Sequence, residues 1–179
     1  EALFLSIVPT LRKMLAARNP AKWKVPIWFT EIGQELGGQV TPTTQAQELV
    51  KAYTLGIAQG VSCIQWFEAQ EGGYAMGLLD SGGRPTPAYA ALSNLAVHLG
   101  PNPAYRGWLL LDDRNYGFVF QGAGNTVMAA WAPPQTTNLV SFGEPVAVLD
   151  PVGGRLTQSA TYSLSNAPVL VIGVPPALV

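Results

Sequence analysis

Apolar positions in the first hundred residues alternate between two spacings. Phe4, Ile7, Val8, Leu11 and Leu15 recur at helical intervals and predict a first helix over about Leu3 to Arg18. Ile27, Trp28 and Phe29 then form an unbroken apolar run, the pattern of a strand covered on both faces. The run ends on a carboxylate, Glu31, and Gly33 lets the chain turn away. Thr41 and Pro42 give a helix start, a hydroxyl cap followed by a proline at the first helical position. Ala46, Leu49, Val50, Tyr53 and Ile57 share one face of that helix, and Gly60 closes it. Val61 to Glu68 predicts a second buried strand that ends on the aromatic pair Trp66-Phe67 and a second acid. Tyr89, Leu92, Leu95 and Leu99 place a third helix over about Pro87 to Leu99, with Gly100 as its stop.

The order strand, helix, strand, with a short connection into the second strand, predicts parallel neighbours joined by a right-handed crossover. Glu31 and Glu68 would then lie on one rim, at the carboxyl ends of adjacent strands, with Trp66 beside them. Past Gly100 the rhythm shortens. Runs at 105–111, 116–120, 126–131, 138–142, 145–149, 160–164 and 168–174 are broken by Asp112-Asp-Arg-Asn, Gln121-Gly-Ala-Gly-Asn, Ala132-Pro-Pro and Gly153-Gly, each a turn former. Such spacing predicts an antiparallel sandwich of about seven strands. The expected class is therefore α/β followed by all-β, divided at 1–103 and 104–179. The linker Pro101-Asn-Pro103 is short and stiff enough to hold the two parts together.

Charge narrows the partners. With 10 basic and 11 acidic residues and no basic cluster, neither nucleic acid nor an anionic membrane surface is expected. No run approaches the roughly 18 apolar residues of a membrane span. Hydrophobic content of 48% against 12% charged residues is high, and part of the excess is assigned to an interface. A single cysteine, Cys63, falls in a predicted buried strand and excludes an internal disulfide. His98, the lone histidine, sits near a helix end, where a cation suits the dipole, and makes neither a triad nor a metal site. No metal or other cofactor is expected. The chain begins at Glu1 without a signal peptide, as a mature, truncated or cut piece would.

Pro26-Ile-Trp-Phe-Thr-Glu31-Ile-Gly resembles the seventh barrel strand of the retaining glycoside hydrolases of clan A, the cellulase, xylanase, xylosidase and arabinofuranosidase group. The stretch from Ala52 to Trp66 is similar to the seventh helix and eighth strand of that family, whose terminal Trp floors the subsite of the reacting sugar. Gly77-Leu-Leu-Asp80, Gly82-Gly-Arg-Pro85 and Pro87-Ala-Tyr-Ala-Ala-Leu92 resemble the loop before its eighth helix. Four pieces in the right order cover about residues 1 to 100. They imply a partial (β/α)8-barrel segment, from the sixth helix to the eighth. The all-β part is similar to the small β-domain that closes many such enzymes, with Asp150-Pro-Val-Gly153 at a recurrent turn and 168–172 as the closing strand.

The resemblance makes Glu31 the catalytic nucleophile and a carbohydrate the substrate. Retaining hydrolysis needs a second carboxyl group about 5 to 5.5 Å away to protonate the leaving oxygen. In clan A that acid stands in an Asn-Glu pair on the fourth strand, and no Asn-Glu dipeptide occurs here. A nucleophile without its acid is largely idle. Glu68 is the best internal substitute, since neighbouring strands lie about 4.7 to 4.9 Å apart, with Glu35 and Glu71 behind it. Against this, Glu68 serves as a rim acid or a structural group, and Glu31 itself as an ordinary solvated carboxylate. Trp66 is a sugar platform or a core aromatic. Tyr74 and Gln34 either reach sugar hydroxyls or, respectively, pack and stay solvated, while Trp28 is expected in the core. Trp108 and Trp131 either stack on sugar or pack; their apolar surroundings favour packing, which makes the β-part a collar.

The chain thus reads as the carboxyl-terminal part of a retaining glycoside hydrolase acting on β-linked glycosides or polysaccharides. Its partner would be the missing amino-terminal barrel half or another copy of itself, and a polysaccharide-degrading parent implies a secreted or periplasmic location. Two other readings stay open: a non-catalytic carbohydrate-binding or scaffold module, and an enzyme working through Glu31 and Glu68 unaided.

Overall fold

A computed structural model describes residues 2–111 and 115–175. The order of elements is α1 (Ala2–Arg18), β1 (Trp28–Ile32), α2 (Pro42–Ala58), β2 (Cys63–Trp66), α3 (Pro87–Leu99), then β3 (Ala104–Leu111), β4 (Asn115–Gln121), β5 (Thr126–Trp131), β6 (Asn138–Leu149), β7 (Leu156–Leu164) and β8 (Val169–Ile172). A 3-10 helix over Pro20–Lys24, which the hydrophobic pattern does not announce, follows α1; the Asn19 side chain caps it by accepting from Ala21 N–H.

The helix ends follow the local chemistry. Thr41 Oγ1 accepts from Thr44 N–H and Pro42 opens α2. α3 starts at Pro87 and stops at Gly100, whose φ of 73° is left-handed. In α2, Ala46, Leu49 and Val50 are buried, as are Leu95 and Leu99 in α3. The α1 stripe is only half covered: Val8 is buried, whereas Ile7 and Leu11 are exposed. Tyr89 of α3 is likewise exposed.

β1 and β2 pair in parallel, with Trp28 opposite Cys63, Phe29 opposite Ile64 and Ile32 opposite Trp66. α2 is the crossover between them. Helices cover only one face of this pair. Phe29 meets Phe4 of α1 edge-on at 5.8 Å, and Ile64 Cδ1 sits so close to Gly56 of α2 that a Cβ there would lie 2.6 Å away. Among the described residues nothing stacks on the side of β1 turned away from the helices, so Trp28, expected in the core, is 60% exposed. Cys63, expected buried, is half-buried for the same reason.

The remaining strands form one six-stranded antiparallel sheet in the order β3-β4-β5-β8-β6-β7, consistent with a sandwich. The expected seven strands become six because 138–142 and 145–149 belong to a single strand, β6, whose pairing with β7 shifts between Ser141 and Val146. The predicted turn at 112–114 lies outside the described residues. Alternate residues separate two cores. Phe118, Phe120, Val127, Ala129, Trp131, Leu149 and Leu170 share one cluster with α2 and α3. Val119, Met128, Ala130, Val148 and Val171 join Val140, Phe142 and Leu164 in a second cluster on the other face.

The first cluster crosses the 103/104 linker and welds helices to sheet. Polar clasps reinforce it: Lys51 Nζ, buried on α2, donates to Asn166 Oδ1 at 2.9 Å and pairs with Glu48, and Asn94 Nδ2 of α3 donates to Pro151 O at 2.8 Å. Trp131 is buried and stacks on Phe118 at 5.4 Å. Trp108 departs from the expectation of a packed ring: it is 56% exposed, on a strand at the edge of the sheet.

Candidate active site

Glu31 is the penultimate residue of β1. The register between β1 and β2 slips between Phe29 and Ile32, so strict alternation fails over this stretch. Phe29 and Ile32 are anchored toward the helices, while Thr30 and Glu31 are both exposed. The slip therefore presents Glu31 to solvent at the carboxyl end of its strand.

Glu68 lies two residues beyond β2, after a cis Phe67–Glu68 peptide bond. Its Oε1 accepts from Gly72 N–H at 3.1 Å and its carbonyl accepts from Leu78 N–H. The carboxylate thus closes its own loop, a structural duty that competes with proton transfer. Trp66 is 8% exposed, belongs to the core shared with α2 and α3, and donates Nε1–H to Met76 O at 2.8 Å. Packing dominates its surroundings. Tyr74 is exposed on the loop after β2 and meets Phe67 edge-on at 6.1 Å. Gln34 is exposed, with its backbone carbonyl turned to α2.

Three residues that the apolar pattern passes over fix these loops. Gln45, buried on α2, donates from Nε2 to Gln34 O at 2.6 Å and to Ala75 O at 3.0 Å. Gly33 lets the loop after β1 touch the loop after β2, because a Cβ there would meet Phe67 O at 2.5 Å and Met76 Cε at 2.6 Å. Thr86 Oγ1 bonds Gly77 O and Leu78 O within 3.0 Å. The sequence signal for Gln45 was a polar residue one turn before Leu49, on the buried face of a well-marked helix.

The loop from Asp80 to Pro85 is an internally closed turn. Asp80 Oδ1 accepts from Gly82 and Arg84 N–H at 2.8 and 2.9 Å, and Oδ2 pairs with Arg84 Nε at 2.9 Å. The Arg84 backbone N–H above all, with the guanidinium adding to it, holds the Asp80 carboxyl below its usual range. A depressed carboxyl stabilises the fold above the unfolded-state pKa, and that contribution fades as pH falls through the folded value. Among the described residues, no group of three or more His, Cys, Asp or Glu is placed to hold a metal ion.

No protein-family model matches the chain, and no curated protein matches it by sequence. Solved structures match in fold. A GH30 endoxylanase from Clostridium papyrosolvens C71 aligns at TM-score 0.57 with 13% identity over 89% of this chain. A glycoside hydrolase family 30 subfamily 8 xylanase from Clostridium acetobutylicum aligns at 0.59 with 18% identity over 86%, and a conserved exported protein from Bacteroides fragilis at 0.60 with 13% identity over 94%. The chain shares the fold of part of each of these structures. It spans 44%, 43% and 43% of the lengths of these three structures.

Proposed function

We propose that the chain is the carboxyl-terminal part of a retaining glycoside hydrolase that acts on β-linked polysaccharide of the xylan class, with Glu31 as its nucleophile. In this reading residues 1–103 are the end of a (β/α)8 barrel and 104–179 its accompanying β-sandwich unit. The observation that carries it is the parallel β1-α2-β2 unit with Glu31 exposed at the carboxyl end of β1, where barrel enzymes keep their catalytic groups. The fold likeness to two xylanases, each more than twice as long as the matched region, supports the same assignment. Two parallel strands with one bare face cannot close a barrel, which takes eight. The missing strands bring the acid, because the Glu68 carboxylate is already engaged with Gly72. The bare face and the unpaired strand edges dock that half. Tyr74 and Gln34 border the sugar, and Trp66 contributes an edge of its ring.

Hydrolysis by the chain alone, by the chain joined to its amino-terminal half, and by the joined Glu31→Gln variant tests the assignment. The isolated chain should leave natural xylo-oligosaccharides intact and act, if at all, on aryl xylosides whose acidic leaving groups depart without a proton. The joined pair should turn over both, and Glu31→Gln should remove both activities. Robust turnover of natural substrate by the isolated chain, or an active Gln variant, overturns the assignment.

A further inference from the structure

The Gln45 amide bonds the backbone of both loops of the candidate site. Its nitrogen faces two carbonyl oxygens, Gln34 O and Ala75 O. Two acceptors require two hydrogens, so the orientation of the amide is fixed by chemistry: the oxygen cannot occupy that place. The first carbonyl is three residues after Glu31, and the second follows Tyr74 directly. Ala75 O also accepts from Leu36 N–H at 3.0 Å, which makes it the node where the two loops join. The amide comes from a helix that cannot easily shift, since Ala46, Leu49 and Val50 are fully buried beside it and Thr41 caps its start.

A polar side chain only 2% exposed is costly unless its hydrogen bonds are made. A leucine or methionine would satisfy the apolar stripe of α2 equally well, yet would leave Gln34 O without this donor. We propose that Gln45 is a positioning residue: it clips the loop that follows Glu31 to the loop that carries Tyr74, and so holds the Glu31 rim in one arrangement before sugar arrives. Preorganisation of this kind acts on the rate of attack, because a misplaced nucleophile loses the near-attack geometry. This rests on the glycosidase reading only for its consequence; the clip itself is a property of the fold.

Two measurements on the chain joined to its amino-terminal half separate the clip from the reading. Amide hydrogen exchange at Leu36, bonded to the node, reports the clip. Labelling with 2,4-dinitrophenyl 2-deoxy-2-fluoro-β-xyloside reports the nucleophile: a Glu31 oxygen bonds to C1, the C1–O bond breaks, and dinitrophenolate leaves with the electron pair, with no proton required. Mass spectrometry locates the sugar on the Glu31 peptide. In Gln45→Met, which keeps the volume but donates nothing, Leu36 should exchange at least about tenfold faster and Glu31 should label at least about tenfold slower, with β5 and β8 amides and the Tm unchanged. Gln45→Asn, one methylene shorter, keeps a buried amide that cannot span both carbonyls; it should release Leu36 and slow Glu31 labelling alike, with a lower Tm from the unmade hydrogen bond, and it stands in should the Met variant not fold. Unchanged labelling of Glu31 with normal wild-type labelling overturns the positioning role and leaves the glycosidase reading intact. A general fall in Tm and protection in both variants overturns it in favour of a core role. No labelling of the wild type, with Leu36 still released in the variants, refutes the nucleophile and the positioning role together while the clip stands.

Discussion

The two sheets of this molecule are finished to different degrees. In the six-stranded antiparallel sheet, alternate residues of the central strands β4, β5 and β8 enter one of two cores, so both faces are covered there. In the parallel pair, Phe29, Ile32, Ile64 and Trp66 turn to the helices, while Trp28, Thr30, Glu31 and Gln65 on the remaining positions stay exposed. Antiparallel strands complete themselves through hairpins within the chain. Parallel strands depend on crossovers and on further neighbouring strands to be covered. The half that covers its own sheet is therefore the β-unit, and the half with the candidate chemistry keeps an uncovered face among the described residues, where we propose that a partner docks.

Substitutions can break that contrast. The largest effect belongs to the β-unit: Phe120→Ala, at a fully buried ring in the core shared with the helices, should cost about 3–5 kcal/mol, read as a lowered urea midpoint. A cost below about 1 kcal/mol would mean that the two-sided core is not what holds the fold. An intermediate effect sharpens the seam. Lys51→Met removes the buried ammonium that bonds Asn166, leaving Glu48 in contact with water, and should cost about 1–3 kcal/mol. Limited proteolysis should then cut the 101–103 linker faster than in the parent; an unaltered cleavage rate would show that apolar contacts alone keep the seam shut. The smallest effect belongs to the bare face. Trp28→Ser should change the stability of the isolated chain by less than about 0.5 kcal/mol, yet weaken association with the proposed amino-terminal barrel half in light scattering. A large loss of stability in the isolated chain would place Trp28 in a core and remove the contrast.

The sequence by itself determined the elements whose causes are local. Thr41-Pro42 and Gly100 bound their helices where the capping rules put them, and Thr126–Trp131 spans the strand read from its apolar run. The parallel pairing of β1 and β2 was legible too, because a strand-helix-strand order with short connections leaves few other solutions. Of the site, the position of Glu31 at a strand end was legible, since a carboxylate closing an apolar run is a local pattern.

Only the tertiary structure decided which apolar residues find cover. Trp28 and Trp108 sit in runs as hydrophobic as that of Trp131, but β1 lacks a layer on one side and β3 is an edge, while β5 is central. Burial depends on what packs from a distance, and no window of sequence contains that. The single strand β6 and the two-loop grip of Gln45 were hidden for the same reason: the register shift involves a partner strand, and the hydrogen bonds span 11 and 30 residues. Local propensity fixes where the chain coils or extends; long-range contact fixes which faces meet water and which side chains serve the site.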